Sequence, residues 1–148
     1  MSNLKGCFSH KTDDWKTPSK MFNKIMELGF IDTFKFKSDD NEFCKIYEKK
    51  RLFCNPPFSK LNKIPEWIKS QLDHKCDILL LIPARTDTKY FHKLLEMNPL
   101  IVFIKGRLHY NDSGSAPFPS LFMAFSSQTE YLWKSVFHEL DKILYKEE

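Results

Sequence analysis

No two cysteines in this chain stand at a Cys-x-x-Cys spacing, and no histidine sits at zinc-finger distance from one. Cys7, Cys44, Cys54 and Cys76 are widely spread, and Cys54 and Cys76 lie in or beside apolar runs, where a thiol behaves as a small core residue. This argues against a disulfide scaffold or a structural zinc site and predicts reduced cysteines in an intracellular protein. No metal ligand set is expected. Long hydrophobic runs are missing as well. The longest, Ile78 to Ile82, is far too short to span a bilayer, and the chain opens without a signal-peptide pattern. The expectation is a soluble protein of the cytoplasm, that of the host cell if a phage or virus encodes it. Charge of one sign is not in large excess: the formal balance is +4, compatible with a polyanionic partner without demanding one. There is no internal repeat and no interdomain linker.

What is present fits one domain with a single core: 148 residues, 42% hydrophobic and 15% aromatic. Residues 1–15 read as a polar leader and residues 16–148 as one domain. Thr17-Pro18 predicts a helix start, with Thr17 as N-cap and Pro18 at the first helical position. Met21, Phe22, Ile25, Met26 and Leu28 follow at helical spacing before Gly29. Phe30 to Phe36 alternates like a strand, Ser38 to Asn41 is a turn cluster, and Glu42 to Lys50 is expected as a short helix. Further strands are expected at Arg51 to Cys54, at Asp77 to Ile82 and Leu100 to Ile104, both read as buried, and at Leu121 to Phe125. Helices are expected at Ile64 to Leu72, Thr86 to Met97 and Gln128 to Tyr145. Strands alternating with helices predict an α/β sandwich with a mostly parallel sheet and helices on both faces. Ligands of such sheets bind at the carboxyl ends of strands. Asn55 to Phe58, Pro83 to Asp87 and Gly106-Arg107 should therefore converge on one edge.

The turn Asn55-Pro56-Pro57-Phe58 carries the most chemistry. At the end of a buried strand, an Asn carboxamide oxygen and the carbonyl of the following Pro can both accept from one planar NH2 group. The aromatic ring can then stack on the base that bears it. Two prolines fix φ near −65° and keep the turn from continuing as a helix.

Several segments extend this signal in order: Asp14-Trp15-Lys16-Thr17-Pro18, Gly29-Phe30-Ile31-Asp32, and Phe53 to Ser59. They continue with Leu81-Ile82-Pro83-Ala84-Arg85-Thr86-Asp87-Thr88, Phe103 to Leu108, and Ala116-Pro117-Phe118-Pro119-Ser120. Together they resemble the phage-type DNA adenine-N6 methyltransferases along most of the chain. That resemblance implies a Rossmann-like methyltransferase sheet, S-adenosylmethionine as methyl donor, and adenine in DNA as acceptor. It implies that Asn55 and the Pro56 carbonyl hold the N6 hydrogens and that Phe58 stacks on a flipped-out adenine. Thr17, Pro18, Asp32 and Asn55 would serve the cofactor. Pro57, Ser59, Arg85, Thr86 and Asp87 would lie beside the base, and Lys105 and Arg107 near phosphates.

The chain departs from the wider methyltransferase pattern in two places. Asp32 is followed by Thr33-Phe34-Lys35-Phe36, without a glycine where many methyltransferases have a glycine-rich turn. The stretch between Asp32 and Asn55 also leaves little room for a full strand–helix–strand unit. The cofactor half is therefore expected to be reduced, with Asp39, Asp40 and Glu42 as the nearest acidic residues. Two further readings stay open: a catalytically inactive methyltransferase-like module that binds DNA or a protein, and a methyltransferase acting on another planar amine, an RNA base or glutamine. No separate DNA-recognition domain is visible. Sequence preference would fall to the leader, to Lys60–Lys63 or to the Tyr110–Ser120 loop, and a homodimer or partner subunit is left open.

Overall fold

The computed structural model describes residues 14–37, 39–126 and 131–144. Most of the expected leader, Ser38 and the residues flanking the last helix lie outside this range. Among the described residues, four helices and five strands follow in order: α1 (Ser19–Glu27), β1 (Ile31–Thr33), β2 (Arg51–Cys54), α2 (Ile64–Asp73), β3 (Asp77–Pro83), α3 (Lys89–Leu95), β4 (Leu100–Phe103), β5 (Ser120–Phe125) and α4 (Tyr131–Leu144). Short 3₁₀ turns cover Asp40–Cys44, Phe58–Lys63 and Tyr110–Asp112.

The sheet order is β1-β2-β3-β5-β4. β1, β2 and β3 pair in parallel, while β5 runs antiparallel to both β3 and β4. Four strands therefore point the same way, and their carboxyl ends share one edge with the start of β5. This mixed, open α/β sheet is consistent with a Rossmann-like arrangement.

The strands sort their side chains by twos, as a pleat requires. Leu52, Cys54, Ile78, Leu80, Ile82, Leu121, Met123 and Phe125 face α2 and α3. Phe53, Leu79, Leu81, Phe122 and Ala124 face α1 and α4. With both faces covered, the central strands need no polar alternation, which is why β3 reads as a continuous apolar run. Between α1 and α4, the Phe30 and Trp133 rings stack 6.0 Å apart and Lys24 pairs with Glu139 at 3.4 Å.

Several expectations are corrected. The run Leu100 to Ile104 is not a strand buried on both sides: β4 is an edge strand, with Leu100 46% and Phe103 68% exposed. The chain passes over one position and returns with β5, which takes the inner place. Phe30 to Phe36 yields only the three residues of β1, because Phe34 turns into the left-handed region at φ 56°. The helix expected at Glu42 to Lys50 is a single 3₁₀ turn, started by the Asp39 carboxylate accepting from the Asn41 amide at 2.9 Å. Gly29 does close α1, at φ 90°. Thr17 does not cap α1, however; the helix begins at Ser19 and is capped from elsewhere.

Candidate active site

β2 ends at Cys54, so Asn55 emerges at the shared carboxyl edge with β1 on one side and β3 on the other. Its side chain is 5% exposed. The carboxamide nitrogen donates to the Trp15 carbonyl at 2.6 Å and to Thr17 Oγ1 at 3.0 Å. Flipping the amide would set its oxygen against that carbonyl, so these contacts fix its orientation. Asn55 Oδ1 is then buried without a protein hydrogen-bond partner. A buried acceptor in that state lacks a partner worth about 1–3 kcal/mol, and a ligand N–H would supply one.

A cavity of about 660 Å³ opens beside it. Thr17, Asp32 and Asn55, three of the residues assigned to the cofactor, line this one space. Pro18 does not; its carbonyl instead accepts the Phe22 amide at 2.9 Å as α1 begins. Asp32 is half-buried at the centre of β1, and desolvation raises its carboxyl above the usual range while Lys35 and Lys37 pull it back. A second cavity of about 400 Å³ shares Asp32, Phe34 and Lys35 with the first and is lined further by Asp39, Glu42 and Tyr47. The Tyr47 hydroxyl donates to Glu42 Oε1 at 2.5 Å. Asp40 is instead paired with Lys60. Two of the three nearby acids thus border a cavity, and the third is held at the surface.

The absence of glycine after Asp32 has a structural answer. Phe34 takes the left-handed conformation that glycine would adopt freely, and its ring is buried against Phe43 at 4.8 Å and Trp67 at 5.2 Å. Left-handed backbone costs about 1–2 kcal/mol in a residue with a Cβ, and burying a Phe side chain gains about 1.5–3 kcal/mol. The ring offsets the strain.

Phe58 starts the 3₁₀ turn after the two prolines and is buried. Trp15 stacks on it, with centroids 6.2 Å apart and planes at 18°, while Tyr110 and Phe118 meet both rings nearly edge-on. One face of the expected base-stacking ring is thus covered by Trp15. Pro56 and Pro57 are buried and Ser59 is exposed. Arg85, Thr86 and Asp87 form the loop between β3 and α3, where the Thr86 carbonyl accepts from His92 Nε2 at 2.8 Å. Lys105 and Arg107 follow β4, beside Gly106 at φ 78°. These five residues occupy the same sheet edge but do not line the larger cavity.

Trp15, Asn111 and Asp112 were not expected from the sequence as parts of this site. Trp15, at the end of the expected leader, presents its carbonyl to Asn55 and also to Lys37 Nζ at 2.6 Å. Asn111 and Asp112, from the loop before β5, reach the strap formed by residues 14–18. Asn111 Oδ1 accepts the Lys16 amide at 3.0 Å, and the Asn111 amide donates back to the Lys16 carbonyl at 2.9 Å. Asp112 accepts the Ser19 amide at 3.0 Å and the Ser19 hydroxyl, capping α1 across the fold. These two bonds hold the Asp112 carboxyl below the usual range. The turn-forming pair Asn-Asp was the only local signal.

Among the described residues, no three His, Cys, Asp or Glu side chains cluster to hold a metal, and no helix is long and apolar enough to cross a membrane. No match was found among curated proteins or among solved structures. The model of one protein family does match, over residues 7–120, which is 114 of the 148 residues and includes the strap, the Asn-Pro-Pro-Phe turn and the Asn111-Asp112 loop. On that match the chain belongs to the DNA N-6-adenine-methyltransferase (Dam) family.

Proposed function

We propose that the protein methylates the N6 amine of adenine in DNA and that the Asn55-Pro56-Pro57-Phe58 turn holds the acceptor. One observation carries this reading: the buried Asn55 Oδ1 without a protein partner, in a side chain whose amide nitrogen is held by the strap and which lines a cavity where parallel β1 and β2 end. In that role Asn55 Oδ1 accepts one N6 hydrogen and the Pro56 carbonyl the other. Both contacts raise electron density on the nitrogen, and the proton lost afterwards passes to solvent. Catalysis then rests on alignment in a water-poor site rather than on a strong side-chain base.

S-adenosylmethionine, when bound, supplies the electrophilic methyl group. The larger cavity fits such a ligand in size and in its mixture of linings. Phe22 offers an apolar wall, Asp32 a carboxylate for an ammonium or ribose hydroxyls, and Lys16 and Lys35 cations for a carboxylate. The methyltransferase sheet is reduced on this side. β1 is its edge, and only a 3₁₀ turn interrupts the connection to β2. DNA contacts fall to the exposed residues around the same edge, including Ser59, Thr86, Asp87, Lys105 and Arg107, with half-exposed Arg85 among them.

A second reading, a silent relative that binds DNA without modifying it, is favoured by the Trp15 ring lying over Phe58. Calorimetric titration with S-adenosylmethionine and S-adenosylhomocysteine separates the two. Saturable binding, followed by N6-methyladenine in previously unmethylated genomic DNA, is the expected result. No binding with or without DNA would overturn the enzymatic reading in favour of the silent one.

A further inference from the structure

The orientation of the Asn55 carboxamide is not set by its neighbours on the sheet. Its two hydrogen-bond acceptors, the Trp15 carbonyl and Thr17 Oγ1, belong to a strap with no regular secondary structure that lies 38–40 residues away in sequence. Without an anchor, such a strap would leave the amide free to turn. The anchor comes from still further along the chain. Asn111 and Lys16 exchange two hydrogen bonds, side chain to backbone and backbone to backbone, across 95 residues. The next residue, Asp112, holds Ser19 immediately beyond the strap.

Asn111 and Asp112 both sit in the left-handed region, at φ 59° and 52°. Asn and Asp tolerate that conformation better than other residues with a side chain, and surrounding contacts hold the pair in it. The contacts here are those to the strap. Tyr110 supports the loop from below: it is buried, its hydroxyl bonds Ser120 Oγ at 2.9 Å, and its ring meets Trp15 at 5.7 Å. Asn111 also lines the cavity into which the site opens.

We propose that Asn111 is a positioning residue for the amine-accepting group. By fixing Lys16, it fixes the Trp15 carbonyl and Thr17 hydroxyl that hold Asn55 Nδ2, and so keeps Asn55 Oδ1 turned toward the acceptor. This proposal rests on the role given to Asn55 above. Lys37 bonds the Trp15 carbonyl and the Trp15 ring packs on Phe58, whereas Asn111 holds both the amide and the carbonyl of Lys16, between the two groups that receive Asn55 Nδ2.

Two substitutions separate side chain from backbone. Asn111→Gly accepts φ 59° without strain but removes the acceptor for the Lys16 amide. Asn111→Asp keeps both an acceptor and tolerance of that conformation. Two readouts are taken on the parent and both variants: kcat and KM for methylation of unmethylated genomic DNA, and the side-chain amide NMR signals of Asn55, assigned by their loss in Asn55→Ala. The expected result is a fall in kcat of about tenfold or more in Asn111→Gly with little change in KM. The Asn55 amide signals should move toward an exchange-averaged position, and Asn111→Asp should restore both readouts. Melting temperature, measured in parallel, establishes that all variants are folded at the assay temperature. If Asn111→Gly leaves either kcat or the Asn55 signals unchanged while the parent is active, the positioning role is wrong and the methyltransferase reading stands. If the parent does not methylate but the Asn55 signals still move and recover, the coupling stands and the activity reading fails. A silent parent with unmoved signals overturns both.

Discussion

Replacing Asn55 by Asp changes one atom's chemistry and tests the orientation of the whole site. The parent amide nitrogen donates two bonds, to a carbonyl at 2.6 Å and a hydroxyl oxygen at 3.0 Å, within a side chain that is 5% exposed. An ionised carboxylate at this position can donate neither, and it sets a charged oxygen against the Trp15 carbonyl. Two lost bonds amount to about 1–3 kcal/mol. Burying the charge adds to this, although Lys37 Nζ on the same carbonyl recovers part of it. A destabilisation of about 2–4 kcal/mol at neutral pH follows. The protonated acid can donate once more to the Trp15 carbonyl, so the fold favours the neutral form of the new side chain. Its folded-state pKa is then raised above the unfolded value of about 3.9. The stability carried by the protonated form is fully present below that value and is lost as pH rises through the folded-state pKa. Urea unfolding of Asn55→Asp and parent across the acid-to-neutral range should therefore show a deficit that grows with pH. In the methylation assay, kcat should fall by about tenfold or more, because a carboxyl oxygen can still accept an N6 hydrogen but has lost the pair of bonds that orients it. A deficit that stays constant with pH, or a kcat equal to that of the parent, would refute the locked-amide argument.

Two further outcomes follow from the β1 end of the site. Substituting Phe34 by Gly should destabilise less than substituting it by Ala, by about 1 kcal/mol in urea denaturation. Both lose the buried ring, but only Gly relieves φ 56°, and this reverses the usual order of the two residues. For Asp32, burial raises the carboxyl pKa, so ionising it in the folded chain costs stability above that pKa and nothing at low pH. Asp32→Asn should accordingly raise the melting temperature near neutral pH, with the gain vanishing as the solution is acidified below about pH 4. The same substitution should weaken S-adenosylmethionine binding in calorimetry; unchanged affinity would remove Asp32 from the cofactor site.

The apolar patterns of the chain determined the layer architecture by themselves. Leu52-Phe53-Cys54 and Ile78 to Ile82 are short apolar runs bounded by turn residues, which suit strands covered on both faces, and Met21, Phe22, Ile25 and Met26 recur at the spacing of one helix face. The Asn-Pro-Pro-Phe turn was legible for a similar reason: two prolines restrict the backbone locally, whatever surrounds them. Strand position was not legible, because hydrophobicity does not distinguish an inner strand from an edge strand; Leu100 to Phe103 became an edge only when β5 took the inner place. Nor could local pattern foretell that Thr17 would receive the Asn55 amide rather than cap a helix, that Phe34 would adopt a glycine's conformation, or that Trp15 would lie on Phe58. Each depends on contacts between residues far apart in sequence, which propensity does not couple. Local sequence determined which residues could do chemistry at the sheet edge, whereas the direction in which Asn55 faces was decided by tertiary hydrogen bonds from the strap and the Asn111 loop, which exist only once the chain has closed.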